Sequence, residues 1–419
     1  MNRVDLDSLD FFSPEVLEHP FAVYRQLQAE APVFQLPDTN VFLVTRYSDV
    51  REVLRDHQRF SNDFGELINA DAPPPAIQAV YEQGFAMVET LLTQDPPRHK
   101  VYRSLVNKVF SQKRIEGMRP DIEALANALI DEWVADGEVD LLNRFCVPLP
   151  IYVIADQLGV PRQELHRLKR WSDAAANTLG QMTDEAQRLE DARAIVEFQH
   201  YFADLIDALR EHPEDNIISD LANARIDDGR QLTKPEALGM LQQILVAGNE
   251  TSTSAIAGGV LLLIHNPHEQ QRLRDDPGLI PAAVEEILRL ETPTSGMWRR
   301  VTQDTSIAGV PVPAGAMLMV RYAAANRDES LFPDGQSMDV SRENAAQHLA
   351  FGQGVHFCLG ALLARMEIQV ALAALLARTE RWSLVEGEHA GRHHPNVLLR
   401  GLRELTVAFN ATPQGSIAD

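Results

Sequence analysis

Cysteine is scarce: two residues, Cys146 and Cys358, in a chain of 419. So few exclude a disulfide framework and fit a reducing cytosol. Long hydrophobic runs are missing, since none reaches the roughly 18 residues a membrane span needs. The opening MNRVDLDSLDFFSPE is acidic and lacks the apolar core of a secretory signal. The expectation is a soluble, cytoplasmic protein. Basic charge is short as well, 38 Lys and Arg against 60 Asp and Glu, for a net −22. That balance argues against general nucleic-acid or anionic-membrane binding, though it leaves room for a local basic patch. Repeats and Gly/Ser-rich linkers are also lacking, so residues 1–419 are expected to form one domain, with 410–419 as a frayed tail.

What is there is helical periodicity, and the pattern reads as mainly α with small β-sheets. Residues 121–136, 185–211 and 359–379 carry the helical period. PVFQLPDTNVFLVTRY (32–47) reads as two strands around a turn, and SIAGVPVPAGAMLMVR (306–321) as short strands broken by turns. APPPA (72–76) reads as a stiff loop. One helix stands out. Thr233 and Glu236 form a capping box, and the helical pattern then runs to Asn266, before Pro267. At about 1.5 Å per residue it spans roughly 50 Å. Its flanks are apolar but its centre, GNETSTS (248–254), is polar. A polar centre in a buried helix breaks local consistency, and such breaks mark function.

Cys358 sits in FGQGVHFCLG (351–360), just before the helical run LGALLARMEIQVALAALLART. Unpaired N–H groups and the positive end of the helix dipole favour thiolate there. Gly354 and Gly360 permit close backbone approach to a flat partner. A nucleophile, a zinc ligand and a haem ligand all remain open on this setting alone. Zinc lacks further ligands at a suitable spacing. Cys146, in FCVPLPIYVIADQLGVP, reads as a small buried apolar residue.

The pattern Phe351-Gly352-x-Gly354-x-His356-x-Cys358-x-Gly360 resembles the haem-binding signature of the cytochrome P450 family, which holds iron through a cysteine thiolate. Three further stretches, in the family's order, resemble it too. Glu286-Ile-Leu-Arg289, with Arg342 in MDVSR, is similar to the family's buried, arginine-braced pair; Met338 stands where phenylalanine is usual. Ala247-Gly248-Asn249-Glu250-Thr251-Ser252 is similar to its oxygen-activation motif. DPPRHKVYRSLVNKVFS (95–111) is similar to the helix crossing the proximal face of the haem. The resemblance covers nearly the whole chain.

It implies the haem-thiolate fold, with haem b buried between the long helix and the helix after Cys358. Cys358 would be the axial ligand. His99, Arg103, Arg299 and His356 would face the propionates, with Phe351, Gly248 and Gly360 also lining the haem. Gly248 would let the long helix widen beside dioxygen; Thr251 would offer a hydroxyl there, and Glu250 would relay protons from solvent. Glu286, Arg289 and Arg342 would be structural. The reaction implied is monooxygenation of a medium-sized hydrophobic molecule bearing a polar handle. The resemblance places substrate contacts near residues 68–88 (Phe85, Met87 and Val88) and at Leu179, Met182, Ala247, Thr294, Ser295, Met297, Asn396 and Val397. Electrons would come from a separate iron–sulfur ferredoxin or a flavodoxin-like donor, docking on Lys100, Arg103, Lys108, Lys113 and Arg114. Two other readings keep the haem: a peroxide-driven peroxygenase and a non-catalytic sensor. A third discards it, a cysteine hydrolase using Cys358 with His356.

Overall fold

In the computed structural model, which describes residues 5–65, 73–107, 109–180, 182–226 and 229–412, helices dominate and the strands gather in three small sheets. The long helix runs Lys234–His265. The Thr233 side chain accepts from the Glu236 N–H, and the Glu236 carboxylate accepts from the Thr233 N–H at 2.8 Å. Glu236 is further bound by Arg230 and Tyr102, so this end is tied to the body of the protein. Asn266 caps the other end, and Pro267 opens the next helix.

Two hydrophobic cores meet along this helix. Leu238, Leu241 and Leu245 pack with helices Leu165–Gly180 and Glu185–Glu211. Ile256, Val260 and Leu263 pack with helices Gln112–Asp131, Ile280–Glu291 and Ala361–Arg378. Each such side chain contributes about 1.5–3 kcal/mol on burial. Residues 246–254 belong to neither core. The helix is thus clamped at both ends, and its polar centre is left beside a cavity.

The two strands expected in 32–47 are β1 (Val33–Gln35) and β2 (Val41–Val44), antiparallel with Val33 opposite Val44. After them come β3 (Phe60–Ser61), β4 (Glu138–Asp140) and β5 (Met297–Val301). The region 306–321 supplies β6 (Thr305–Ile307), β7 (Val310–Val312) and β8 (Met317–Val320). β8 lies between β2, parallel to it, and β5, antiparallel to it. The order of the main sheet is β1-β2-β8-β5-β3. Strand period two places Met297 and Arg299 of β5 toward the cavity and Trp298 into another core. The third sheet pairs β4 with β10 (Thr406–Ala411), which pairs with β9 (Thr379–Leu384).

Several boundaries differ from the sequence expectation. The helix expected over 121–136 spans Gln112–Asp131, with Pro120 inside it. Pro120 and Glu116 are exposed, so water reaches the carbonyl that proline leaves unpaired. Within the stretch read as a stiff loop, a helix starts at Pro75, where proline's fixed φ suits a first turn. Asn410 and Ala411 are not frayed but belong to β10, paired with Glu380 and Thr379; residues 413–419 lie outside the described residues. Helix Glu185–Glu211 matches its expected range.

Candidate active site

The polar centre of the long helix faces a cavity of about 470 Å³. The cavity is also lined by Phe351, Gly352, His356, Cys358, Leu359, Gly360, Leu363 and Ala364. A turn brings Cys358 there: its N–H donates to the Phe351 carbonyl at 2.9 Å, and Gly352 and Gly354 have φ of +65° and +76°. The two glycines read from sequence as allowing close approach act differently. At Gly354 a Cβ would press on the Leu54 carbonyl, so the approach is protein to protein. At Gly360 a Cβ would meet nothing within 4 Å, and the space lies on the cavity wall.

Burial is the largest influence on the Cys358 thiol and raises its pKa. The Gly360 and Ala361 N–H groups, Arg103 and Arg365 pull it down but do not win. The helix terminus therefore favours thiolate, as the sequence indicates, without creating it. A cation bound at the sulfur would.

Around the cysteine stand four groups that the sequence scatters over 258 positions, from His99 to His356. His99 and Arg103 lie one turn apart on helix Arg98–Asn107. The His99 ring packs on His356, centroids 4.2 Å apart. His99 Nδ1 and His356 Nε2 are buried and find no partner among the described residues. Burial, with Arg103 next, pushes the His99 pKa down to about 4. Burial, then Arg299, His99 and Arg103, pushes His356 down to about 2. Arg103 donates to the Phe357 carbonyl at 2.7 Å, and Arg299, nearly fully buried, to the Trp298 carbonyl at 2.7 Å. His99 itself does not line the cavity; it backs His356, which does.

The long helix contributes Gly248, Glu250 and Thr251 to the same cavity. The helix stays α-helical through Gly248, where the sequence predicts widening. Hydroxyl-to-carbonyl bonds from Thr251 to Ala247 (2.7 Å) and from Ser254 to Glu250 (2.8 Å) occupy the carbonyls of this turn. Glu250 Oε1 accepts from Asn249 at 3.1 Å, Lys169 at 3.4 Å and Ser172 at 3.5 Å. Burial, and then the nearby Asp173, raise the Glu250 pKa against the pull of Lys169. Burial would lower the Lys169 pKa, but Glu250 and Asp173 outweigh it and keep the ammonium charged. Lys169, Ser172 and Asp173 carry no motif; only the packing of helix Leu165–Gly180 on the long helix brings them here.

The Cys358 segment is braced from behind. Arg289 and Glu286 are fully buried and joined twice at 2.7 Å. Arg342 donates to Glu286 at 3.0 Å, and Arg289 also donates to the carbonyls of Asn326 and Gly335. Met338, in the usual phenylalanine position, is buried in the core. A second brace carries no sequence signature. Glu285 accepts two bonds from Arg365 (2.6 and 2.8 Å) and lies 3.3 Å from His348. The Arg365 guanidinium covers the Phe351 ring at 4.5 Å.

Of the residues expected to touch substrate, Met87, Val88, Leu179, Ala247, Thr294 and Met297 line the cavity. The others do not. Phe85 packs on His200 and Lys234 outside the wall. Met182 is exposed. Ser295 is buried, donating to the Leu398 carbonyl and accepting from Arg321. Val397 is core, and Asn396 caps the turn at Leu398 and Leu399. Residues 68–72 of the expected loop, and Lys108, lie outside the described residues.

The residues present fit the haem that the sequence resemblance implies. The wall at Gly360 is open, Cys358 is the one cysteine that lines the cavity, and two arginines and two orphaned imidazole nitrogens near it could serve as partners for carboxylates. Cys146, by contrast, is fully buried in the core, where burial raises its thiol pKa strongly.

Comparison with known proteins agrees. The family model described as "Cytochrome P450" matches residues 140–277 and 278–393. The vitamin D(3) 25-hydroxylase of Pseudonocardia autotrophica is 35% identical over 405 residues, 96% of each chain. The mycinamicin IV hydroxylase/epoxidase of Micromonospora griseorubida is 39% identical over 393 residues, covering 92% of this chain and 94% of that one. The structure of cytochrome P450 CYP109Q5 from Chondromyces apiculatus superposes with a TM-score of 0.84 at 33% identity, over 97% of this chain and all of that one. Sequence, fold and relatives coincide over almost the full length, and the chain belongs to the cytochrome P450 family.

Proposed function

We propose that the enzyme, a P450 monooxygenase by family, holds haem b through the Cys358 sulfur and hydroxylates or similarly oxidises a medium-sized hydrophobic compound with a polar handle. One observation carries the reading: a lone cavity-lining cysteine, with arginines and neutral imidazoles near it, shares one largely apolar cavity with an acid–alcohol pair. When bound, the haem supplies the activation of dioxygen, which the side chains alone cannot perform.

The chain's own residues do the rest. Arg103 and Arg299 bind carboxylates by charge-assisted hydrogen bonds, and neutral His356 donates from one ring nitrogen. The Thr251 hydroxyl holds a proton at the cavity side of the long helix. The Glu250 carboxyl, with its pKa raised, sits between Lys169 and the cavity, where it can take up and pass on a proton near neutral pH. Apolar walls exclude bulk water from the reacting groups. Substrate contacts fall to Met87, Val88, Leu179, Ala247, Thr294 and Met297. The named relatives are a vitamin D(3) 25-hydroxylase and a mycinamicin IV hydroxylase/epoxidase, and one similar structure, CYP109E1 from Bacillus megaterium, is in complex with testosterone; compounds of that kind are the first to try.

Electrons come from a ferredoxin or a flavodoxin-like donor on the cysteine side. Phe357 and Leu362 flank Cys358 and are exposed. Lys100 and Lys113 are exposed too, Lys100 on the helix whose Arg103 binds the Phe357 carbonyl. Arg103 is itself partly buried and so engaged.

The test is turnover of a panel of such compounds under isotopically labelled dioxygen, with a ferredoxin and its reductase. One labelled atom in each product molecule is expected. Unlabelled product, or turnover by peroxide that outruns electron-driven turnover, contradicts the reading and favours a peroxygenase.

A further inference from the structure

The chemistry above leaves two acidic groups on the cavity wall unused, and they differ: Glu367 is almost fully buried with its carboxyl hydrogen-bonded to Ser252, whereas Glu89 is not. Glu89 lies in the segment before helix Arg98–Asn107 and lines the cavity beside Met87, Val88, Leu91 and Leu92. It is partly buried. Its carboxylate fills the place where a Cβ on Gly65 would stand, so glycine there lets it pack against the turn. Burial raises its pKa, and the like charge of Asp63 adds to that. Among the described residues no cation pairs with Glu89: Arg300 is paired with Asp63 at 2.8 Å, and Arg103 and Arg299 are bound at the cysteine end. Among the described residues Glu89 makes no hydrogen bond or ion pair.

A second acceptor opens on the same cavity. Asn62 is 1% exposed. Its Nδ2 donates to the Leu92 carbonyl at 3.0 Å, and its backbone N–H donates to Asp95 at 3.0 Å. These bonds fix the amide, leaving Oδ1 buried with no partner among the described residues. The Asn62–Leu92 bond ties the turn 62–65 to the segment that carries Glu89. A partly buried carboxylate and a buried amide oxygen, neither paired, cost free energy until a donor arrives.

We propose that Glu89, with Asn62 lining the same cavity, binds the cationic nitrogen of a protonated amine, so that the substrate class is a hydrophobic amine whose apolar body fills the rest of the cavity. This rests on the monooxygenase reading and names the polar handle within it.

The test uses the haem-loaded enzyme and a matched pair of probes, a long-chain alkyl dimethylamine, protonated at neutral pH, and its uncharged hydrocarbon isostere. Calorimetric titration should show the amine binding about tenfold or more tightly than the isostere. Glu89→Gln should remove that advantage and leave binding of the isostere unchanged, which also shows that the variant is folded. Equal binding of the two probes by the native enzyme overturns the proposal. So does an advantage that survives in Glu89→Gln, or a visible spectrum showing the nitrogen on iron. The reduced, carbon monoxide-bound spectrum of the same sample separates the levels: if it is not that of a haem-thiolate, the functional reading fails; if it is, only the amine site is at stake.

Discussion

At the residue scale, the site works by contrast between neighbours. Thr251 and Glu250 are consecutive on one helix, yet the hydroxyl is bonded only within its own helix while the carboxylate also reaches another. Glu250→Gln removes the titrating proton and keeps the shape. It should lower kcat by about a hundredfold or more, and should flatten the pH profile of kcat near neutrality. Thr251→Ala should differ: electron consumption continues while product per electron falls, measured by comparing reductant use with product. Equal losses of both in Thr251→Ala would argue that the hydroxyl only packs. The sequence makes Glu250 and Thr251 legible because a polar run interrupts an apolar helix. It hides Lys169, 81 residues away, because an ordinary surface lysine has the same local pattern. It hides Glu89 and Asn62 for a different reason: what sets them apart is a missing partner, and only the folded chain shows which partners are missing.

At the scale of elements, the segment leading to Cys358 is held by two neighbouring glutamates on helix Ile280–Glu291. Glu286 is fully buried with Arg289 and Arg342. Glu286→Gln leaves buried arginine charge uncompensated and should cost about 3–5 kcal/mol, read by denaturant unfolding. Glu285 is bound to Arg365 and His348. Burial acts to raise its pKa, but those bonds outweigh it and hold it at about 2, below its ordinary 4.5. A depressed carboxylate pKa gives stability that is present above the unfolded value and lost as pH falls through the folded one. The Tm gap between the native enzyme and Glu285→Gln should therefore be full above about pH 5 and close toward pH 2. A gap independent of pH would mean that the contact is steric. The Glu-x-x-Arg spacing made the first brace readable. The second depends on Arg365 of helix Ala361–Arg378 reaching across from another element, a contact with no short-range pattern. Helix ends followed the same logic: the Thr233–Glu236 box fixed one end of the long helix, whereas the helix read over 121–136 has no such box and starts earlier, at Gln112.

At the scale of the molecule, a net charge of −22 makes any exposed basic cluster a steering feature for an acidic electron donor. Lys100→Glu with Lys113→Glu should slow association with a ferredoxin at low salt, and the difference should shrink as ionic strength rises. Unchanged rates across that range would place the donor elsewhere. The mainly α architecture was legible from periodicity and from four motifs in order. The third sheet was not, because β4 stands more than 200 residues before β9 and β10 and no local pattern announces its pairing with β10. The most direct test of the central claim, that Cys358 holds haem as a thiolate, is the absorption spectrum of the reduced, carbon monoxide-bound protein. The account predicts a Soret band shifted far to the red, lost in Cys358→Ala and kept in Cys146→Ala. A colourless protein, a spectrum of histidine-ligated haem, or a red-shifted band that survives Cys358→Ala would contradict it.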